Sequence, residues 1–81
     1  MIKEFWSRAT AMVGHDMSDM LRQSTIMAAR ATAPEYWPDL QVTDVEITDI
    51  STYPTWDRKT GEVTEMVDWV ARADVHMEPA Q

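Results

Sequence analysis

The stretch from residue 63 to residue 77 decides the fold, and it reads Val63-Thr64-Glu65-Met66-Val67-Asp68-Trp69-Val70-Ala71-Arg72-Ala73-Asp74-Val75-His76-Met77. From Val67 onward the odd positions are apolar, while Asp68, Arg72, Asp74 and His76 fall between them. A period of two residues is typical of a β-strand with one buried face. The sequence therefore predicts a long, half-buried strand here.

A second strand is predicted over residues 40–50, which are β-branched and mostly alternate between apolar and polar side chains. Between the two strands, Asp57 can accept hydrogen bonds from turn amides, and Gly61 can take the positive φ that closes a hairpin. We therefore expect the two strands to pair antiparallel. Pro54 has no amide hydrogen to donate to a neighbouring strand. The strand that begins at residue 40 must therefore bulge, lie at an edge of the sheet or break near Pro54.

A helix is predicted from about residue 17 to residue 32. Asp16 is in position to cap its start. The residues of its inward face are mostly apolar and recur at spacings of three and four: Met17, Met20, Leu21, Ser24, Ala28 and Ala31. Pro34 and Pro38 follow closely and are expected to end it.

Residues 2–13 fit two patterns. Ile2, Phe5, Trp6, Ala9 and Met12 form a helical stripe, but alternate residues from Phe5 to Val13, with the exception of Ser7, also fit the apolar face of a strand. The predicted fold is thus a single α+β domain spanning residues 1–81. Its amphipathic helix packs on an antiparallel β-hairpin, and residues 2–13 add a further helix or a third strand.

The composition favours a homo-oligomer. A core built from 81 residues is small, the chain has no cysteine for disulfides, and four Trp and seven Met supply much apolar surface. The sequence shows neither a secretory signal nor a run of about 18 apolar residues, so we expect no membrane partner and a cytoplasmic location.

Charge restricts the class of partner. The net charge is −7, and residues 35–81 hold eleven acidic residues against three basic ones. Direct nucleic-acid binding needs a basic surface, so it is not expected. An acidic surface instead favours a protein partner with a basic surface.

No catalytic constellation is visible. His15 and Asp19 are four residues apart, but no third metal ligand lies nearby, and His76 alternates onto the polar strand face with Asp74. With only two glycines there is no phosphate-binding loop. We therefore expect neither an enzyme nor a metal site, and no cofactor apart from the flavin considered below.

The candidate partner-binding residues are four carboxylates on the polar strand faces and two tryptophans near turns, where exposure is expected: Asp44, Glu46, Asp68, Asp74, Trp37 and Trp56. Trp69 is assigned to the core, and Trp6 to the apolar stripe of its segment. The leading hypothesis is a non-enzymatic protein-binding module. A small acidic inhibitor of the type that mobile elements encode fits this size and charge.

If residues 5–13 form a strand, the chain resembles the dodecins, small β-α-β-β proteins that assemble into hollow dodecamers and sequester flavin. The matching segments are Met12-Val13-Gly14, Ala28-Ala29-Arg30-Ala31-Thr32, Leu40-Gln41-Val42-Thr43 and Gly61-Glu62-Val63-Thr64-Glu65. Leu40 lies nearest to the flavin-stacking position of that family. The resemblance implies the alternative function, an oligomer that binds and stores flavin.

Overall fold

One helix packs against one face of a three-stranded antiparallel sheet in the computed structural model, which describes residues 1–80. The elements are β1 (Ile2–Met12), α1 (Ser18–Tyr36), β2 (Leu40–Trp56) and β3 (Val63–Pro79). The strand order is β1-β3-β2, so β3 is central and both of its neighbours run antiparallel to it. The predicted α+β fold class is confirmed.

The alternation along β3 divides the sheet into two faces. We call the face toward α1 the inner face and the opposite one the outer face. Ala71, Ala73, Val75 and Met77 are buried on the inner face, as the sequence predicts. Val67 and Trp69 continue the same face but are only half-buried.

Residues 2–12 form the third strand, which settles the ambiguity at the N-terminus. Phe5 lies opposite Ala73 in register and packs against the core. Trp6 was assigned to the apolar stripe, and this is wrong. In a strand its side chain points to the outer face, where 58% of it is exposed.

The start of α1 is capped by Asp16. Its carboxylate oxygen Oδ1 accepts hydrogen bonds from the hydroxyl and the backbone amide of Ser18, at 2.6 and 2.9 Å. These two bonds, the hydroxyl first, lower the pKa of Asp16 because they stabilise its ionised form. The helix begins at Ser18, one residue later than predicted, so the N-cap position is Met17 and the predicted capping residue Asp16 lies one residue before it.

The end of α1 differs from the prediction. Pro34 lies inside the helix, which continues to Tyr36 instead of stopping near residue 32. Only one helical amide is lost at this position, and the last turn still closes because the amide of Trp37 donates to the carbonyl of Ala33 at 2.8 Å. Burial of Ala33 against the sheet holds this turn in place.

The buried stripe of α1 agrees with the predicted one only at Leu21. It consists of Leu21, Thr25, Ala29 and Ala33, while Met20 is 63% exposed and Ser24 and Ala31 are exposed. Small side chains face the sheet because Ala71 and Ala73 stand opposite and allow a close approach. The prediction favoured size and apolarity, and it therefore selected a neighbouring stripe.

Three irregularities interrupt the pairing of β2 with β3, and a threonine of β2 lies at each of them. Register shifts occur between Val42 and Asp44, between Ile47 and Asp49, and between Pro54 and Trp56. The skipped residues are Thr43, Thr48 and Thr55, and their hydroxyls donate to the β3 carbonyls of His76, Arg72 and Met66. These bonds occupy carbonyls at the places where the regular ladder is interrupted.

The hairpin turn is built as the sequence predicts. Asp57 Oδ1 accepts the amides of Lys59 and Thr60, and Gly61 has a φ of 73°. Pro54 lies in β2, which is an edge strand, next to one of its register shifts.

The helix covers only part of this sheet. A helix of 19 residues is about 28 Å long, whereas a strand of 17 residues spans about 56 Å. The molecule accordingly extends 55 Å along its longest axis. We call the part of the sheet around residues 71–77 of β3 the covered half, and the part around residues 63–69 the distal half. Within residues 1–80 no helix is long and apolar enough to cross a membrane.

Candidate functional site

The outer face of the sheet carries most of the predicted partner-binding residues. Asp44 and Glu46 on β2 and Asp68 and Asp74 on β3 all point to this face, as the register of the strands shows. Seven carboxylates and two guanidinium groups share it, which gives a net charge of −5 with His76 neutral: Glu4, Asp44, Glu46, Asp49, Asp68, Asp74 and Glu78 against Arg8 and Arg72.

Three carboxylates form a row across the sheet. Glu4 of β1 and Glu46 of β2 both lie directly opposite Asp74 of β3. In the neighbouring row Asp44 lies opposite His76, whose Nε2 is 3.6 Å from a carboxylate oxygen of Glu46. The structure therefore brings together three of the four predicted carboxylates: Asp44, Glu46 and Asp74.

Asp68 belongs to a different, neutralised part of the face. It accepts a 2.7 Å hydrogen bond from the hydroxyl of Thr10 and a 2.9 Å bond from the guanidinium of Arg8. The Thr10 bond, joined by the attraction of Arg8, lowers the pKa of Asp68 against the opposing effect of partial burial. Because its charge is already paired within the chain, Asp68 is a weaker docking group than the other three carboxylates.

Arg72 lies at the centre of the outer face, and its surroundings were not predicted. Its guanidinium donates to Glu4 at 2.5 Å and lies 5.9 Å from the ring centroid of Trp6. Glu4, Trp6 and Arg8 were missed because residues 2–13 were left as helix or strand. The alternation in the strand interpretation places all three on one face.

The two tryptophans lie apart from the carboxylates. Trp56 is 60% exposed at the end of β2, in the distal half. Trp37 follows α1 and packs against the hydrophobic core, so its predicted exposure is wrong. The helix runs four residues further than expected, and its last turn places Trp37 against the inner side of the sheet.

The distal half presents an apolar surface on its inner face. By alternation along β3, Val63 and Val67 share this face with Trp69, and Val63 lies opposite Trp56 in register. Val63 is 55% exposed. Val67 and Trp69 are half-buried, so the exposed end of this surface is formed by Val63 and Trp56.

The histidines form no metal site. His15 is exposed in the turn before α1, and His76 lies on the outer face beside Glu46. Across residues 1–80, no group of three or more His, Cys, Asp or Glu side chains is placed to hold a metal ion.

Comparison of the chain with protein-family models, curated proteins and solved structures found no match. The resemblance to the dodecins therefore stays a prediction that rests on the element order and the short segments quoted above.

Proposed function

We propose that this chain is a non-enzymatic binding protein that works as a cytoplasmic homo-oligomer. The observation that carries the proposal is the placement of large and small apolar side chains. The buried core contains four alanines, Ala29, Ala33, Ala71 and Ala73, while Trp6, Trp56, Met20, Met27 and Tyr53 are exposed. Exposed aromatic and methionine side chains in this number are typical of surfaces that bind other proteins.

The distal inner face is the surface we assign to assembly. Its exposed end is formed by Trp56 and Val63, with the half-buried Val67 and Trp69 on the same face. Assembly through the edge of β2 is less favourable, because three register shifts and Pro54 interrupt it.

Sedimentation velocity tests the proposal. We expect the parent chain to sediment as an oligomer at micromolar concentration, and the double variant Trp56→Ser, Val63→Ser to sediment as a folded 9 kDa monomer. The matched control is Met27→Ser, which removes an exposed apolar side chain from the helix and should leave assembly unchanged. A parent that is monomeric throughout this range would refute the proposal.

The resemblance to the dodecins suggests flavin as the ligand of this oligomer. The order strand, helix, strand, strand supports that resemblance, and a flavin would then be held between aromatic side chains of neighbouring subunits. Purified oligomer that is yellow, and releases flavin on unfolding, would support storage. Colourless oligomer that does not retain added riboflavin would exclude it.

The second candidate function is docking of a basic protein on the outer face. The row of Glu4, Asp74 and Glu46, with Asp44 beside it, favours this function because it concentrates negative charge that Arg72 only partly balances. Such a field accelerates association with an oppositely charged surface and is screened over about 8 Å at physiological ionic strength. A small acidic inhibitor would act in this way.

Association rates separate this candidate from a merely solvated face. The variant Asp44→Asn, Glu46→Gln, Asp74→Asn should bind a basic partner more slowly at low salt, and added salt should slow the parent in the same way. A control with three carboxylates removed elsewhere, Glu35→Gln, Asp39→Asn and Glu62→Gln, corrects for net charge. Equal rates for the two variants would show that the outer face is not the docking surface.

A further inference from the structure

A cleft opens between β1 and the last turn of α1, on the inner side of the sheet. Its volume is about 270 Å³. Its walls are mostly apolar and aromatic, with Phe5, Ala33, Tyr36 and Trp37 among them, and its charged lining residues are Lys3 and Glu4. The rings of Tyr36 and Trp37 are 5.8 Å apart and inclined by 48°, so they form a corner with two aromatic sides.

Lys3 and Glu4 are the two charged residues that line this cleft. Within residues 1–80, Lys3 takes part in no ion pair, and the nearby carboxylate of Glu4 is engaged by Arg72. The ammonium of Lys3 lies 5.9 Å from the ring centroid of Trp37, close to the outer limit of about 6 Å for a cation–π contact. A cation is thus held beside an aromatic cleft without an anionic partner.

We propose that this cleft binds a small aromatic carboxylate, with the ring against Trp37 and Tyr36 and the carboxylate facing Lys3. Charge complementarity selects the anion, because Lys3 is the free charge at the cleft in a chain of net charge −7. The aromatic corner selects a flat ring, since offset and edge-to-face ring contacts are favourable.

The volume sets the size of the ligand. An apolar cavity of about 150 Å³ accepts benzene, and ligand sites commonly measure about 300 to 1,000 Å³. A cleft of 270 Å³ is therefore suited to one or two fused rings with a short acidic substituent. The site is formed within one chain, so it depends on neither assembly nor partner docking.

Ligand-observed NMR titration with 2-naphthoate and its neutral counterpart 2-naphthamide tests this site, because it measures weak binding at any size of assembly. We expect the parent to bind the acid about fivefold more tightly than the amide, the effect of one ion pair near the surface. Lys3→Met should abolish this preference and leave the affinity for the amide unchanged. Lys59→Met, at the other lysine of the chain, should retain it.

Two tryptophan variants test where the ring of the ligand binds. Trp37→Ala should weaken binding of both compounds, whereas Trp56→Ala should change neither. Trp56→Ala is also expected to weaken assembly, so unchanged binding there shows that the cleft functions in a single chain.

The proposal is overturned if the parent binds neither compound at millimolar concentration, or if it does not prefer the acid. It is also overturned if the preference survives Lys3→Met. The comparison of acid with amide on the parent needs no variant to fold.

Discussion

The covered and distal halves of the sheet use side chains of opposite size on the same face. Under the helix, the inner face of β3 presents Ala71 and Ala73, which are fully buried. Toward the other end of the sheet the same face presents Trp69 and Val67, which are half-buried, and Val63, which is 55% exposed. Small residues let α1 approach the sheet closely, and the large residues lie where the face becomes more exposed. Under the proposed function, the covered half stabilises the fold and the distal half is the assembly surface.

The largest difference is expected for truncations in the two halves. Leu21 is 1% exposed between α1 and the sheet, and Leu21→Ala should destabilise the fold by about 2 to 5 kcal/mol, because it leaves a cavity. Trp56→Ala removes a larger side chain but should change the stability of the monomer by less than about 0.5 kcal/mol. Urea denaturation at low protein concentration measures both. Similar losses for the two variants would remove the distinction between the halves.

A smaller effect is expected when the same side chain is enlarged in each half. Ala73 is fully buried in the core cluster, with Phe5 and Ile47 beside it, so Ala73→Leu should cost about 1 to 3 kcal/mol through overpacking. Ala11 lies in the distal half opposite Val67 and is half-buried, so Ala11→Leu should be tolerated. Thermal denaturation of the two variants makes the comparison. Equal tolerance at both positions would show that the helix does not pack as closely as the alanines indicate.

The sequence predicts the strands of the sheet better than it predicts the packing and the end of the helix. Alternation gave β3 and the hairpin, and the turn chemistry of Asp57 and Gly61 was read correctly. The helix was misjudged because its packing depends on what it faces. A stripe that contains Thr25 and Ala29 is less apolar than its neighbour, so the sequence alone does not select it. The small alanines of β3 explain why this stripe faces the sheet. The predicted helix end at Pro34 is wrong for the same reason. Burial of Ala33 against the sheet stabilises the last turn by more than the loss of one hydrogen bond destabilises it.

The candidate site was predicted in part. Alternation placed Asp44, Glu46, Asp68 and Asp74 on one face, as the structure shows. Which of them are neutralised depends on β1, because Arg8 and Thr10 reach Asp68 across strands about 60 residues apart in sequence. A single sequence does not give that register. From the sequence alone, the four carboxylates are therefore equally good candidates for unpaired charges.

The difference between paired and unpaired carboxylates predicts a pH dependence. The pKa of Asp68 is lower in the folded chain than in the unfolded chain, so the unfolded state takes up its proton first as pH falls. The stabilisation by Asp68 is thus fully present above the unfolded pKa and is lost as pH falls through the lowered folded value. We expect the parent to be more stable than Asp68→Asn at neutral pH, and this advantage to shrink below about pH 5. Denaturation curves of both proteins from neutral to acidic pH measure the effect. An advantage that grows on acidification would contradict the assigned hydrogen bonds.

The smallest effect, and one of opposite sign, is expected at Asp74. It lies between Glu4 and Glu46 in register, and among residues 1–80 it forms no ion pair of its own. Like charges directly opposite each other on a sheet are destabilising, on the scale of about 0.2 to 1 kcal/mol for a cross-strand pair. Asp74→Asn keeps the shape of the side chain and removes the repulsion, so it should stabilise the fold slightly.

Salt provides the control for that prediction. Because repulsion between surface charges is screened, the gain from Asp74→Asn should be largest at low ionic strength and should vanish in about 1 M salt. Asp68→Asn should behave in the opposite way, with a loss that salt reduces. If Asp74→Asn instead destabilises the fold at low salt, Asp74 makes a favourable contact within the chain, and the carboxylate row is no longer an unbalanced charge available to a basic partner. A small stabilisation together with slower association would identify the row as a surface kept for binding at some cost in stability.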